Sequence, residues 1–322
     1  MSRYVIRRII QAIPLLVATS ILVFAILELA PGDPTQMYMD PDKGTDPAYL
    51  AQVRESLGLN EPVYVRYGAW LSKTLQGDMG FSFRTRRAVT FEIGERLPNT
   101  LLLGGVSLLI SIVIALPIGI ISALKRYTLL DYFLSTLALV GISVPVFWVA
   151  LLLLQVFSIQ LGWLPAVGMH DMREEYEGWA NVVDVLRHMI LPATVLSLAQ
   201  TASWSRYQRS ALLEVLDQDY IRTARAKGLR ERRVITRHAL RNALIPIVTL
   251  IGLSVPSIVT GAFITETIFG WPGMGRLGVE AIDGRDYPII MAVTMLSSLV
   301  IIFGNLLADI AYVWVDPRIR YE

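Results

Sequence analysis

Six stretches of this chain run without charge for roughly the 20 helical residues that a bilayer core of about 30 Å requires. They are Ile9–Leu27, Thr100–Leu124, Tyr132 to about Gly162, Met189–Ser205, Asn242–Thr265 and Tyr287–Ala308. Lipid offers backbone groups no partner, so each stretch predicts a helix that pairs its own amides and carbonyls. Met189–Ser205 is the shortest and carries Gln200, Ser203 and Ser205. Pro14, Pro117, Pro145 and Pro256 fall inside spans, with Pro192 and Pro246 close to helix entrances. Each proline removes a backbone donor and bends or opens its helix, which suits a pathway between helices. The expected fold class is an all-α integral membrane protein with six transmembrane helices.

Residues 30–98 are too long for a hairpin connection and predict a small ordered subdomain after the first helix. Pro31-Gly32-Asp33-Pro34 forces a break, and Tyr49–Leu57 reads as a short amphipathic helix stopped at Gly58. Tyr67, Trp70, Leu71 and Leu75 sit at helical spacing and predict packing on the membrane surface or a neighbouring span. Gly77, Gly80 and Pro98 mark later turns. The acidic stretch Asp171–Glu177 reads as a solvated face.

Charge sets the orientation. Arg3, Arg7 and Arg8 resemble the basic start of a signal peptide, but the apolar run behind them exceeds the usual core and reads as a retained helix. With the N-terminus cytoplasmic, the segments near Lys125 and at 206–241 lie inside with the C-terminus, and 30–98, 163–188 and 269–286 lie outside. The inner segments then hold 17 basic and 7 acidic residues, and the outer ones 12 basic and 19 acidic, with Asp309 left within the last span. This is the bias by which short basic loops stay inside.

Composition agrees: 54% of the 322 residues are hydrophobic and 17% charged, which excludes most soluble enzymes. A net charge of +2 gives no reason to expect a nucleic-acid partner. The absence of cysteine excludes disulfides and thiolate sites, and His170, His188 and His238 are scattered. No Gly-x-x-x-x-Gly-Lys-Ser/Thr, His-Glu-x-x-His or Gly-x-Ser-x-Gly occurs, so neither a nucleotide cradle nor a catalytic or metal cluster is assembled. Glu28, Glu266 and Asp309, at or near span ends, leave one rival reading, an ion-coupled transporter that works alone. Their bland reading is interfacial solvation for the first two and pairing to a neighbour for Asp309.

The segment between the fourth and fifth spans is the most informative. Asp219–Leu229 reads as a short helix with an acidic start, basic residues late and a stop at Gly228. A second amphipathic stretch, Glu231–Leu244, carries Arg232, Arg233, Arg237, His238 and Arg241 ahead of Pro246. Basic helices of this kind often only touch anionic lipid headgroups. The small residues here argue for more, because they let another protein's surface approach the backbone.

Thr223-Ala224-Arg225-Ala226-Lys227-Gly228-Leu229, followed by Arg237 to Pro246, resembles the coupling loop of binding-protein-dependent ABC importer permeases. Over nearly the whole chain the likeness is to the first permease of the dipeptide, oligopeptide and nickel branch. Pro31 to Pro34, Leu57-Gly58-Leu59, Gly77-Asp78-Met79-Gly80, Leu97 to Thr100, Glu266 to Gly275 and Arg285-Asp286-Tyr287-Pro288 carry it. The general Glu-Ala-Ala triplet falls on Arg222-Thr223-Ala224, so its acidic residue is absent, and Pro246 lies further beyond the glycine than in the sugar importers. Both departures are usual in the peptide branch.

The resemblance implies a type I importer fold: 1–98 as first helix plus external subdomain, 99–315 as a five-helix core with coupling loop 206–244, and 316–322 as a cytoplasmic tail. It also implies alternating access in a bacterial or archaeal plasma membrane. The expected partners are a second homologous permease, two ATP-binding subunits that hold the ATP-Mg, an external substrate-binding protein and membrane lipid, with no cofactor in this chain. Tyr220, Arg222, Thr223, Ala224, Arg225, Ala226, Lys227, Gly228 and Leu229 are the expected ATPase-coupling residues, with Thr223, Ala224, Ala226 and Gly228 making the contact. Di- or oligopeptides are the first expectation for cargo, with nickel, glutathione and oligosaccharide as alternatives.

Overall fold

The computed structural model describes residues 2–29, 47–56, 58–260 and 262–315, and among these the chain is helical with a single isolated β-bridge, Phe81 to Ala88. The Pro31 to Pro34 break, Leu57, the tail 316–322 and the side chains of Arg3, Arg7, Arg8 and Asp309 lie outside the described residues. The helices are α1 (Ser2–Leu29), α2 (Pro47–Ser56), α3 (Val63–Leu75), α4 (Val89–Leu124), α5 (Leu129–Ser143), α6 (Val146–Leu153) and α7 (Trp179–Leu216). There follow α8 (Asp219–Ala226), α9 (Glu231–Arg233), α10 (Leu240–Ala243), α11 (Ile245–Thr260), α12 (Phe263–Ile268), α13 (Met274–Asp283) and α14 (Tyr287–Val315). Among the described residues four helices are long and apolar enough to cross a membrane, and six spans result if each of two bent pairs is one span.

Where hydropathy and structure differ, the reason is physical. The third stretch is not one straight helix: α5 and α6 meet at 102° across Val144–Pro145. Proline disfavours the helical region for the residue before it, and Val144 is extended at φ −83°, ψ 129°. The fourth stretch is the core of a 38-residue helix with Pro192 well inside rather than at its entrance. Pro98, expected at a turn, lies within α4. The fifth stretch ends at Thr260, and α12 begins after Ala262. Gly58, at φ +65°, closes the turn after α2 as expected, a conformation that costs glycine little.

The chain divides into two compact units, Met1–Pro98 with Leu277–Ile302 and Asn99–Arg276 with Phe303–Glu322. In the first, Tyr67 and Trp70 of α3 pack on Phe24 of α1, with ring centroids 5.5 and 6.3 Å away. Arg66 pairs with Glu28 at 2.8 Å, so Glu28 is held by an ion pair rather than by solvent alone. The loop at 82–84 is pinned to the start of α14. Buried Asp286 accepts from the Ser82 hydroxyl and from the backbone N–H of Phe83 and Arg84.

In the second unit α7 is the central post. Gly119 of α4 faces it so closely that a Cβ there would lie 2.6 Å from the Ser205 carbonyl oxygen, and Gly141 of α5 stands against Ala202. Small residues allow such approaches between apolar helices, where packing rather than water drives association. The Ser111 hydroxyl of α4, 2.8 Å from the Ser107 carbonyl of its own helix, also lies 3.2 Å from the Gln200 side chain of α7 and 3.3 Å from the Ser197 carbonyl.

Candidate functional site

α8 begins with Asp219 and carries Arg225 in its last turn, both complementary to the helix dipole. It ends as the sequence predicts: Gly228 takes φ +74°, and the Leu229 N–H returns to the Ala224 carbonyl at 3.4 Å. Two side chains anchor it. Ile221 and Ala224 are buried in a cluster with Ala123 of α4, Leu212 of α7, and Val234, Ala239 and Ala243 from the helical stretch 231–243. Two polar ties add to this: Asn242 donates to the Tyr220 hydroxyl at 2.8 Å, and Arg225 forks onto Glu231 at 2.7 and 3.1 Å. The hydrogen bonds to Glu231 also push the Arg225 guanidinium further up.

The expected coupling residues therefore divide. Ala224 turns inward and Leu229 packs against the same cluster, so these two attach the helix to its own chain. Tyr220, Arg222, Thr223, Arg225, Ala226, Lys227 and Gly228 are exposed. The outward surface is a small patch of Thr223, Ala226 and Gly228 with Arg222 and Lys227 beside it, and no atom lies within 4 Å of where a Gly228 Cβ would stand. Helical residues 234–239 have π rather than α geometry, a widening that is frequent where helices serve function.

The Glu266–Gly275 motif is a folded knot. Glu266 is 1% exposed, so the chain's own groups rather than solvent surround it. Its carboxylate accepts from the Thr100 hydroxyl at 3.1 Å and the Arg276 N–H at 3.0 Å, while the Met274 N–H donates to Thr100 Oγ1 at 2.7 Å. A Cβ on Gly273 would stand 2.5 Å from that carboxyl, so the turn needs glycine. Trp271, fully buried, donates from Nε1 to the Asn99 carbonyl, and Asn99 donates back to the Pro272 carbonyl. Burial pushes the Glu266 carboxyl up, against the pull of these hydrogen bonds. A cavity of about 170 Å³ adjoins it, lined by Thr100, Ser107, Gln200 and Glu266 among apolar neighbours. No group of three His, Cys, Asp or Glu able to hold a metal occurs among the described residues.

Sequence reasoning missed Asp131. It is 2% exposed and takes a bidentate fork from Arg209 of α7, both bonds at 2.8 Å. The only local signal was Thr128, three residues earlier, which caps α5 by accepting from the Asp131 N–H.

A family model described as the binding-protein-dependent transport system inner membrane component matches residues 115–321, and the model for the N-terminal part of such membrane components matches residues 1–104. The chain belongs to this family. It is 46% identical over its whole length to the oligopeptide transport system permease protein AppB of Bacillus subtilis, covering all of that protein. It is 46% identical to a putative peptide permease protein of Brucella suis, with 99% of each chain covered. It is 40% identical over the full length of both chains to the glutathione transport system permease protein GsiC of Salmonella typhimurium. Among solved structures, the inward-facing MetNI methionine ABC transporter aligns with a TM-score of 0.56 at 16% identity, over 70% of this chain and 97% of that one. An amino acid ABC transporter crystal structure gives 0.53 at 14% identity, over 69% and 94%.

These likenesses establish the type I ABC importer permease fold. This binding-protein-dependent family member is a multi-pass transmembrane permease subunit of an ABC importer and not an enzyme. ATP is used by partner ATP-binding subunits, and a substrate-binding protein is the other partner that the family implies. That assignment sets aside the rival of a transporter that works alone.

Proposed function

We propose that this permease carries di- or oligopeptides across the membrane, and that α8 is the element through which ATP hydrolysis in the partner subunits moves it. The cargo rests on relatives named for oligopeptide, peptide and glutathione transport that align with 99% or more of the chain. Nickel and oligosaccharide remain the other outcomes of a transport assay. The observation that carries the coupling reading is the attachment of α8. Ile221 and Ala224 fix it to the chain's own core, leaving Thr223, Ala226 and Gly228 to meet a cleft of the ATPase. Small side chains let that cleft close on the backbone, and the cations around them suit an acidic rim or anionic lipid.

In this reading both termini are cytoplasmic, residues 30–98 form an external subdomain, 99–315 the permease core with its coupling loop at 206–244, and 316–322 a cytoplasmic tail. A second homologous permease completes the pathway, two ATP-binding subunits bind one to each permease, and lipid surrounds the bundle.

The test uses the complete importer in liposomes. A photo-cross-linker at Ala226 is expected to join an ATP-binding subunit, while one at Glu174 is not. No adduct from Ala226, together with adducts from Glu174, would place α8 on the wrong side and defeat the reading. Uptake of a labelled dipeptide with its binding protein and ATP tests the cargo.

A further inference from the structure

Asp131 and Arg209 lie where the α8 cluster meets the rest of the bundle. Arg209 is one turn before Leu212, and Leu212 is fully buried against Ile221 and Ala224. Arg209 Nε and Nη2 each donate to one Asp131 oxygen at 2.8 Å. The same carboxylate accepts from the Ser122 hydroxyl at the end of α4 and the Tyr127 N–H at 3.0 Å, with Ser135 of α5 at 3.3 Å. Ala123, next to Ser122, belongs to the α8 cluster too. One buried carboxylate thus holds the end of α4, the turn after it, the start of α5 and the last turns of α7.

A buried ion pair is a costly way to stabilise a fold, because desolvating both charges consumes much of their attraction, and well-packed apolar groups often serve as well. What the fork provides that apolar packing lacks is direction. Two parallel bonds to a planar carboxylate resist sliding and rotation, whereas apolar helix faces can slip past one another.

We propose that Asp131 and Arg209 are positioning residues of the transport cycle, the rigid joint by which displacement of α8 reaches α5. Through α5 it reaches the 102° bend at Pro145. The inference rests on the reading of α8 as the coupling helix. The joint makes the α8 cluster, α7 and the head of α5 move as one body, and without it the cluster shifts while α5 stays.

The experiment compares Asp131→Asn, Arg209→Lys and the double variant Asp131→Asn/Arg209→Met in the complete importer, reconstituted with its binding protein and a labelled dipeptide. Three quantities are read: thermal unfolding of the complex, cross-linking from Thr223→Cys to an ATP-binding subunit, and uptake per ATP hydrolysed. This chain's lack of native cysteine makes Thr223→Cys its only thiol. Asp131→Asn leaves a half-buried guanidinium without its anion and lowers the unfolding temperature, while the double variant removes both charges and recovers most of that loss. Arg209→Lys keeps the charge but not the fork. All three are expected to keep the cross-link and ATP hydrolysis, and to lose uptake per ATP by about tenfold, a modest effect for a close charge pair. Recovery of both stability and uptake in the double variant would make the pair merely structural and overturn the proposal, as would undiminished uptake per ATP in Arg209→Lys. Absence of the Thr223 cross-link in the otherwise unaltered protein would instead defeat the coupling reading, and the joint with it.

Discussion

Gln208 of α7 is pressed against Gly119 of α4 so closely that a Cβ on the glycine would stand 2.7 Å from that of the glutamine. Gln208 is fully buried, and neither its amide nitrogen nor its oxygen has a hydrogen-bond partner among the described residues. An unpaired buried amide costs about 1–3 kcal/mol, and an apolar group of similar shape avoids that cost. Gln208→Leu is therefore expected to raise stability by about 1 kcal/mol or more, read as a higher unfolding temperature of the purified importer. An unchanged or lower temperature would mean that the amide is satisfied in solution.

Glu266 ties the 271–276 turn to α4 from a buried position, and burial raises its folded pKa above the ordinary value. For a carboxyl raised in this way, the stabilising contribution is complete below the unfolded pKa, near 4.5, and is lost as pH rises through the higher folded value. Glu266→Gln cannot ionise. Unfolding temperatures measured at a series of rising pH values are expected to fall for the native protein relative to the variant. A constant offset between the two curves would show that Glu266 does not titrate there.

Asp286 accepts from Ser82 and from two backbone N–H groups, and with its carboxylate removed all three donors are left to find water. Asp286→Ala should cost about 1–3 kcal/mol and speed hydrogen exchange at Phe83 and Arg84 while leaving exchange in α8 unchanged. Ser82→Ala, which removes one donor and leaves the backbone pair, should have a smaller effect. Equal exchange at 83–84 in Asp286→Ala and the native chain would contradict the pinning.

What hydropathy made legible was the charge-free stretch within each helix, not helix length. The apolar run Met189–Ser205 is the part of α7 that is free of charge. Asp184 and Arg187 before it, and Arg206 and Arg209 after it, concealed a helix that runs from Trp179 to Leu216. Pro145 was visible as an interruption, but its 102° consequence depends on where α6 finds its packing partners. The α8 stop was readable because Gly228 acts locally, through its own φ and hydrogen bonds a few residues back. Asp131 was not, since its partner Arg209 is 78 residues away and its near neighbourhood reads as an ordinary helix cap. Glu266 likewise meets Thr100 across 166 residues, so its position at a span end suggested solvation where the fold supplies donors.

Gly228 separates two roles that one glycine fills. Its φ of +74° is a conformation that most L-residues adopt only at a cost of about 1–2 kcal/mol, whereas asparagine visits it readily. The space around it is open, so a side chain meets nothing within this chain. If the glycine serves only to end α8, Gly228→Asn should transport normally and Gly228→Val should fail through loss of stability. If an ATPase cleft closes on this backbone, both variants obstruct it. The expected result is that Gly228→Asn unfolds within a few degrees of the native importer yet hydrolyses ATP with little uptake, and that Gly228→Val adds a loss of stability to the same defect. Uptake per ATP measured alongside unfolding temperature decides between them, and normal uptake by a stably folded Gly228→Asn would remove this glycine from the contact.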